Sequence, residues 1–185
     1  MLVSVLAGCT TVETQGFEEP ADSNVEYAQI STDADFGHYD RLLPQEMGIF
    51  FPRDVSVPPE DLARIRQIFR TAFIAELADY NIESAPGPTT MTVQASLIDM
   101  RQAGATGGSY LKREIQELAT PGKIVFLMEM RDSQSNRVLA RGADSAITPV
   151  VATAGGVETD WQSVEDAAGR WASLFRQFLD QNLGR

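Results

Sequence analysis

Few residues in this chain of 185 have types and spacings suited to chemistry. His38, the single histidine, lies among Asp33, Asp35 and Asp40. Zinc sites draw mainly on several His and Cys ligands, so one histidine would need carboxylates to complete the set. Calcium accepts oxygen ligands alone, but the loop spacing of an EF-hand is absent. The segment therefore reads as a polar entry to a domain, and no metal is expected. Ser109, in Gly107-Gly108-Ser109-Tyr110, would need a base such as His38 to become a nucleophile. It lacks the G-x-S-x-G turn that presents a serine in hydrolases, and a glycine-rich loop accounts for it with less. Neither G-x-x-x-x-G-K nor G-x-G-x-x-G occurs, so no nucleotide and no other cofactor is expected. Asp99, Asp132 and Asp144 fall near the ends of expected strands and are the candidates for carboxylate hydrolysis. That chemistry requires two of them to converge in one pocket, one with a raised pKa.

Cys9 is the only cysteine, which excludes an intramolecular disulfide. It follows the apolar run Leu2 to Ala7, and Leu6-Ala7-Gly8-Cys9 resembles the lipobox of bacterial lipoproteins. The resemblance implies a cysteine thiol that is diacylated, a preceding segment that is cleaved, and a new amino terminus that is acylated. Only eight residues precede Cys9 and none is basic, whereas a secretory signal opens on positive charge. Residues 1–8 accordingly read as the remnant of a signal peptide whose true start lies upstream. One myristoyl chain binds a membrane marginally and two or more chains hold stably, so triple acylation gives a permanent anchor. Thr10 and Thr11 follow the cysteine, with no aspartate at the position that resembles an inner-membrane retention signal. The expected location is the outer membrane, facing the periplasm.

The net charge of −11 is concentrated early: eight carboxylates and no Lys or Arg lie between Glu13 and Asp40. An acidic chain without a basic stripe argues against nucleic acid as a partner and against electrostatic adhesion to anionic lipid. The expected membrane contact is the lipid on Cys9. Residues 9–33, with Gly16, Pro20, Ser23 and Asn24, read as an acylated, self-repelling flexible tether reaching roughly 25–30 Å.

Residues 34–185 are expected to form one globular domain. Gly48 to Phe51 reads as an edge strand closed by Pro52. Pro58-Pro59-Glu60-Asp61 is a helix start, since proline fits the first turn and acids face the positive end of the dipole. Leu62, Ile65, Phe69, Phe73, Leu77 and Tyr80 then recur at spacings of three and four, with Arg64, Arg66 and Arg70 off that stripe. Met91 to Leu97 alternates with period two, marking a half-buried strand. Gly104 to Ser109 is a loop, and Tyr110 to Leu118 a short helix or flap. Ile124 to Met130 is nearly all apolar, as a central strand is, and Asp132 to Asn136 turns it into a partner strand, Val138 to Ile147. Thr148 to Gly156 is a second loop. Val164, Ala168, Trp171, Phe175 and Phe178 mark the closing helix, capped by Thr159 or Asp160. Two amphipathic stripes need a shared apolar face. The expected fold is a small α+β sandwich: a mostly antiparallel sheet of three to four strands with both helices on one side.

Three of these stretches resemble the bacterial lipoproteins of domain-of-unknown-function family 3313. Asp35-Phe36-Gly37-His38-Tyr39-Asp40-Arg41-Leu42-Leu43-Pro44 is similar to that family's opening signature. Asp132-Ser133-Gln134-Ser135-Asn136 is similar to its "DSQTG" turn, with Asn136 where glycine is usual. Gly169 to Phe175 is similar to its closing helix. The resemblance implies an envelope lipoprotein and no particular reaction. Together these observations lead us to expect a lipid-anchored, non-catalytic binding or accessory module of the cell envelope that docks on an envelope protein. The competing expectations are a carboxylate hydrolase and a purely structural lipoprotein.

Overall fold

A computed structural model describes residues 16–51, 56–99, 123–147, 150–153 and 156–183. The lipidation candidate Cys9, Ser109 with its glycine-rich loop, and the segment from Tyr110 to Leu118 lie outside the described residues.

The chain runs β1 (Phe17–Glu18), β2 (Tyr27–Ser31), a single 3₁₀ turn (Phe36–His38), β3 (Arg41–Pro44), β4 (Gly48–Phe50) and α1 (Pro59–Glu76). It continues through β5 (Asn81–Ile82), β6 (Thr90–Asp99), β7 (Lys123–Asp132), β8 (Val138–Ile147), β9 (Val150–Thr153), β10 (Gly156–Thr159) and α2 (Trp161–Leu183). Eight strands form one sheet in the order β1-β2-β8-β7-β6-β3-β5, with β4 also on β6, and β9 and β10 pair as a separate antiparallel hairpin.

This corrects the expected sheet of three to four strands. The β6-β7-β8 meander is antiparallel, but β3 and β4 pair in parallel with β6, and β5 pairs in parallel with β3. Parallel neighbours need a crossover connection, and α1 supplies it between β4 and β6. The separate hairpin falls where a plain loop was expected.

The expected tether is also corrected. β2 pairs with β8 from Tyr27 opposite Ala143 to Ile30 opposite Ala140, and β1 extends the edge. Folded structure therefore begins by Phe17, not at residue 34. Carboxylates in this acidic stretch have partners: Glu26 accepts from the Ser145 hydroxyl at 3.0 and 2.8 Å, and Asp33 pairs with Arg137.

The pleat sorts the sheet into two faces. Leu97, Phe126 and Asp144 stand abreast on β6, β7 and β8, as do Ala95, Met128 and Gly142. This face carries both helices, as expected. Trp171 stacks on Phe126 with ring centroids 4.5 Å apart and planes at 13°. Phe69 of α1 joins both rings at 5.8 and 6.0 Å, and Phe73 bridges Phe126 and Phe175. The opposite face holds a smaller cluster of Tyr27, Val125 and Ala143, then an ion-paired group in which Glu129 takes Arg131 and Arg141.

Both helix starts follow their sequence signals. The Pro58 carbonyl accepts from the N–H groups of Asp61 and Leu62. Asp160, the better of the two expected caps, accepts from the backbone N–H and hydroxyl of Ser163, which holds its carboxyl below the ordinary range. Thr159 instead donates to Asp61 at 3.1 Å, joining the two helix starts. At the far ends, Arg176 reaches Asp79, Asp180 and the Glu76 carbonyl, and Tyr80 donates to Asp180 at 2.7 Å. No helix among the described residues is long and apolar enough to cross a membrane.

Trp171 is 2% exposed at the centre of the aromatic stack. Trp171→Ala should lower the unfolding free energy by about 3–5 kcal/mol, read as a shift of the urea midpoint. The β7–β8 turn yields a second expectation. Burial disfavours the Asp132 charge, but the Ser135 N–H and hydroxyl, the Tyr39 hydroxyl and the Gln134 N–H outweigh it and hold the carboxyl below 3.8. A depressed carboxyl contributes stability that is present above its unfolded pKa, about 3.9, and is lost as pH falls through its folded value. Asp132→Ala should cost about 1–3 kcal/mol at pH 7. The gap should narrow below pH 4 in acid-titrated denaturant melts.

Candidate functional site

Two of the stretches with family resemblance, Asp35–Pro44 and the Asp132 turn, pack on one another. Tyr39 donates its hydroxyl to Asp132 at 3.0 Å. Burial first, and the Asp132 carboxylate second, push its pKa up to about 12. Ser133 donates to the Gly87 carbonyl at 2.9 Å, and His38 meets the Pro88 carbonyl at 2.8 Å through Nε2. Asn136 has a φ of 60°, the left-handed conformation that asparagine tolerates better than most residues. These residues secure the sheet end and the hairpin, and their contacts are structural.

The acidic residues around His38 point apart. Asp33 turns to Ser31 and Arg137, Asp40 lies 3.5 Å from Arg41, and His38 stacks edge-on against Tyr39. Among the described residues, no three His, Cys, Asp or Glu side chains gather within metal-ligating reach.

The three candidate carboxylates are not brought together. Asp132 stands opposite Met91 at one end of β6 and β7, while Asp99 stands opposite Ile124 at the other. Asp99 and Asp144 are 4% and 2% exposed and share the core face. They sit on strands either side of β7, whose Ile124 and Phe126 stand between them. Asp144 accepts from Trp171 Nε1 at 3.1 Å and pairs with Arg170 at 2.7 Å. A carboxylate so enclosed is paired at the cost of its own hydration, and it fixes helix to sheet.

What the fold does open is a cleft of about 290 Å³ between α2 and the β8–β2 edge. Its origin is local. Ala28 and Gly142 are register partners on the core face, and their small side chains leave the floor low. Ile30, Met128 and Met130 continue that floor, and Leu174, Phe175 and Phe178 form the helical wall. The loop from Pro20 to Val25 closes the third side, where Asn24 donates to Gln177 at 3.3 Å. Asp144 and Trp171 form the inner end. A concave, mostly apolar site with a few convergent polar groups is the usual form of a small-ligand pocket.

The cleft was not read as a site in the sequence, although Asp144 and Trp171 of its lining were singled out, because its floor is made by a pair of small residues that meet only through β2–β8 pairing. Trp161, the first residue of α2, lies elsewhere: the Arg64 guanidinium covers its ring at 3.9 Å.

A likeness of overall shape exists to several solved structures. A PDZ domain protein from Parabacteroides distasonis ATCC 8503 is 13% identical with a TM-score of 0.47, over 82% of this chain and 34% of that one. The chain thus spans about a third of that protein's length. A DUF4136 family protein from Bacteroides thetaiotaomicron VPI-5482 is 12% identical with a TM-score of 0.45, over 85% and 95% of the two chains. A lipoprotein candidate from Caulobacter crescentus CB15 is 11% identical with a TM-score of 0.39, over 81% and 93%. Among curated proteins none matches. The model of a family of proteins of unknown function, DUF3313, matches residues 12–175, which include the Asp35–Pro44 segment, the Asp132 turn and the Trp171 helix, and the chain belongs to that family.

Proposed function

We propose that this protein is a lipid-anchored, periplasm-facing binding module of the bacterial cell envelope. In this reading it is held at the outer membrane through acylated Cys9, has no catalytic role, and works with an envelope protein as its partner. The observation that carries the reading is the cleft between α2 and the β8–β2 edge, open and apolar, while Asp132 is engaged in a turn and Asp144 in a helix contact. A hydrolase needs two carboxylates facing one substrate. A binding module needs a concave surface and a means of placing it.

Leu6-Ala7-Gly8-Cys9 supplies the placement. With β1 starting at Phe17, eight residue steps separate the anchor from the sheet. A fully extended chain spans about 3.3–3.6 Å per residue, so that link reaches at most about 30 Å. The body is thereby kept close to the headgroups, with the loop from Pro20 to Val25 only a few residues beyond β1. The domain sits near the membrane surface without entering it.

The test is mass spectrometry of the amino-terminal peptide from native membranes, alongside a Cys9→Ser variant. The wild-type peptide should begin at a triacylated Cys9, and the variant should move to the soluble fraction and lose cross-links to envelope proteins. An unmodified, internal Cys9 would remove the anchor from this reading.

A further inference from the structure

We propose that the cleft between α2 and the β8–β2 edge binds a single acyl chain carrying an uncharged polar head, in the manner of a monoacylglycerol. The inference rests on the reading of that cleft as the binding site and adds the class of its ligand.

The walls set the body of the ligand. Met128, Met130, Leu174 and Phe178 face a volume of about 290 Å³, at the lower end of the range for small-molecule pockets. That is room for one slender apolar chain and too little for a pair of long chains side by side. Methionine side chains are unbranched and polarisable, so they adapt to a chain that itself bends.

The rim sets the head. Asn24, Gln177, Gln181 and Asn182 bring amides to the lining, of which Asn182 donates to the Phe178 carbonyl and Asn24 to Gln177, and amide groups can donate to and accept from hydroxyl or ester groups. Asp22 and Asp144 are the carboxylates of the lining, and Arg141 is its single basic residue. The Arg141 guanidinium is taken by Glu129 on the opposite face of the sheet. Asp144 is balanced by Arg170 at 2.7 Å, so the charge left in the lining is the Asp22 carboxylate, and a fatty-acid carboxylate or a phosphodiester would meet it with no cation of the lining to receive it. Charge complementarity selects a neutral head.

The strap sets the route of entry. The loop from Pro20 to Val25 is joined to α2 by the Asn24–Gln177 bond, between two exposed side chains. An exposed bond of this kind contributes little and opens readily. The loop follows β1, close in sequence to Cys9, so the mouth lies within chain reach of the membrane where such amphiphiles reside.

The experiment uses the full-length chain with Cys9→Ser and follows Trp171, which lines the cleft, by intrinsic fluorescence. The probes are 1-monoacylglycerols of increasing chain length, their matching fatty acids, and vesicles doped with the same monoacylglycerol. Saturable binding of the neutral series is expected, tightening about fourfold per added methylene until the cleft is full, then reaching a plateau. The matching fatty acids should bind at least tenfold more weakly. Ala28→Leu and Gly142→Leu fill the floor and should each abolish binding while circular dichroism and the thermal midpoint stay near wild type. Delivery from doped vesicles as well as from free monomer places the source in the membrane, and delivery from monomer alone places it in the aqueous phase; both support the ligand class. Equal binding of the charged and neutral series overturns the head assignment. Absence of saturable binding by every probe overturns the inference. If Ala28→Leu then still removes envelope cross-links, the cleft receives a protein segment and the broader functional reading survives.

Discussion

The fold depends on how Trp171 is held. Its ring lies flat on Phe126 of the central strand while its indole N–H reaches the buried Asp144 carboxylate on the next strand. One side chain therefore fixes α2 in two ways, in height by the stack and in rotation by the hydrogen bond. Offset aromatic contacts add only about 0.5–1.5 kcal/mol beyond their area. What distinguishes this one is that the polar end has a single acceptor in a buried place, where leaving it unpaired is costly. Arg170, the preceding residue on the helix, meets the same carboxylate from the solvent side. Asp144 could serve a hydrolase only by surrendering the contact that seats the helix.

From that fixed point the helix runs on toward the β2 edge, and there the packing loosens. Phe175 still meets α1 through Phe73, but the residues beneath Leu174 and Phe178 on the β8–β2 edge include Ala28 and Gly142. A rigid helix cannot bend down to fill the space left by two small side chains. The cleft is thus a direct consequence of pinning α2 over β7 and thinning the floor one and two strands away, at Gly142 and Ala28.

How much of this was legible in the sequence depended on whether the signal was local. Both helical stripes, the Pro58-Pro59 start, the Asp160 cap and the Asp132 turn are written within a few residues of one another, and the structure places them as read, except that α1 ends at Glu76, short of Leu77 and Tyr80. β3 and β5 were missed because they are short and because their parallel partners lie dozens of residues away, joined only through α1. β2 was missed for a different reason. Tyr27 and Ser31 are buried on one face while Ala28 and Ile30 look into the cleft on the other, so Tyr-Ala-Gln-Ile-Ser shows no alternation. The cleft shares that cause, since its floor exists only once Ala28 has found Gly142.

The acidic amino-terminal stretch shows why charge density is a poor guide to order. Read as a string, eight carboxylates without a cation repel one another and describe a tether. In the fold, the charge is distributed over groups that come from elsewhere in the chain: Arg137 beyond the β7–β8 turn meets Asp33, and Ser145 on β8 meets Glu26. Exposed ion pairs contribute little to stability, so these contacts do not drive the pairing of β2 with β8. They remove its electrostatic objection, and the ladder hydrogen bonds and the burial of Tyr27 against Val125 and Ala143 do the rest. The consequence reaches the proposed function. Each residue of the stretch recruited into the sheet is one fewer between Cys9 and the body, so that on the proposed reading, with Cys9 acylated, the cleft would lie beside the membrane instead of far above it.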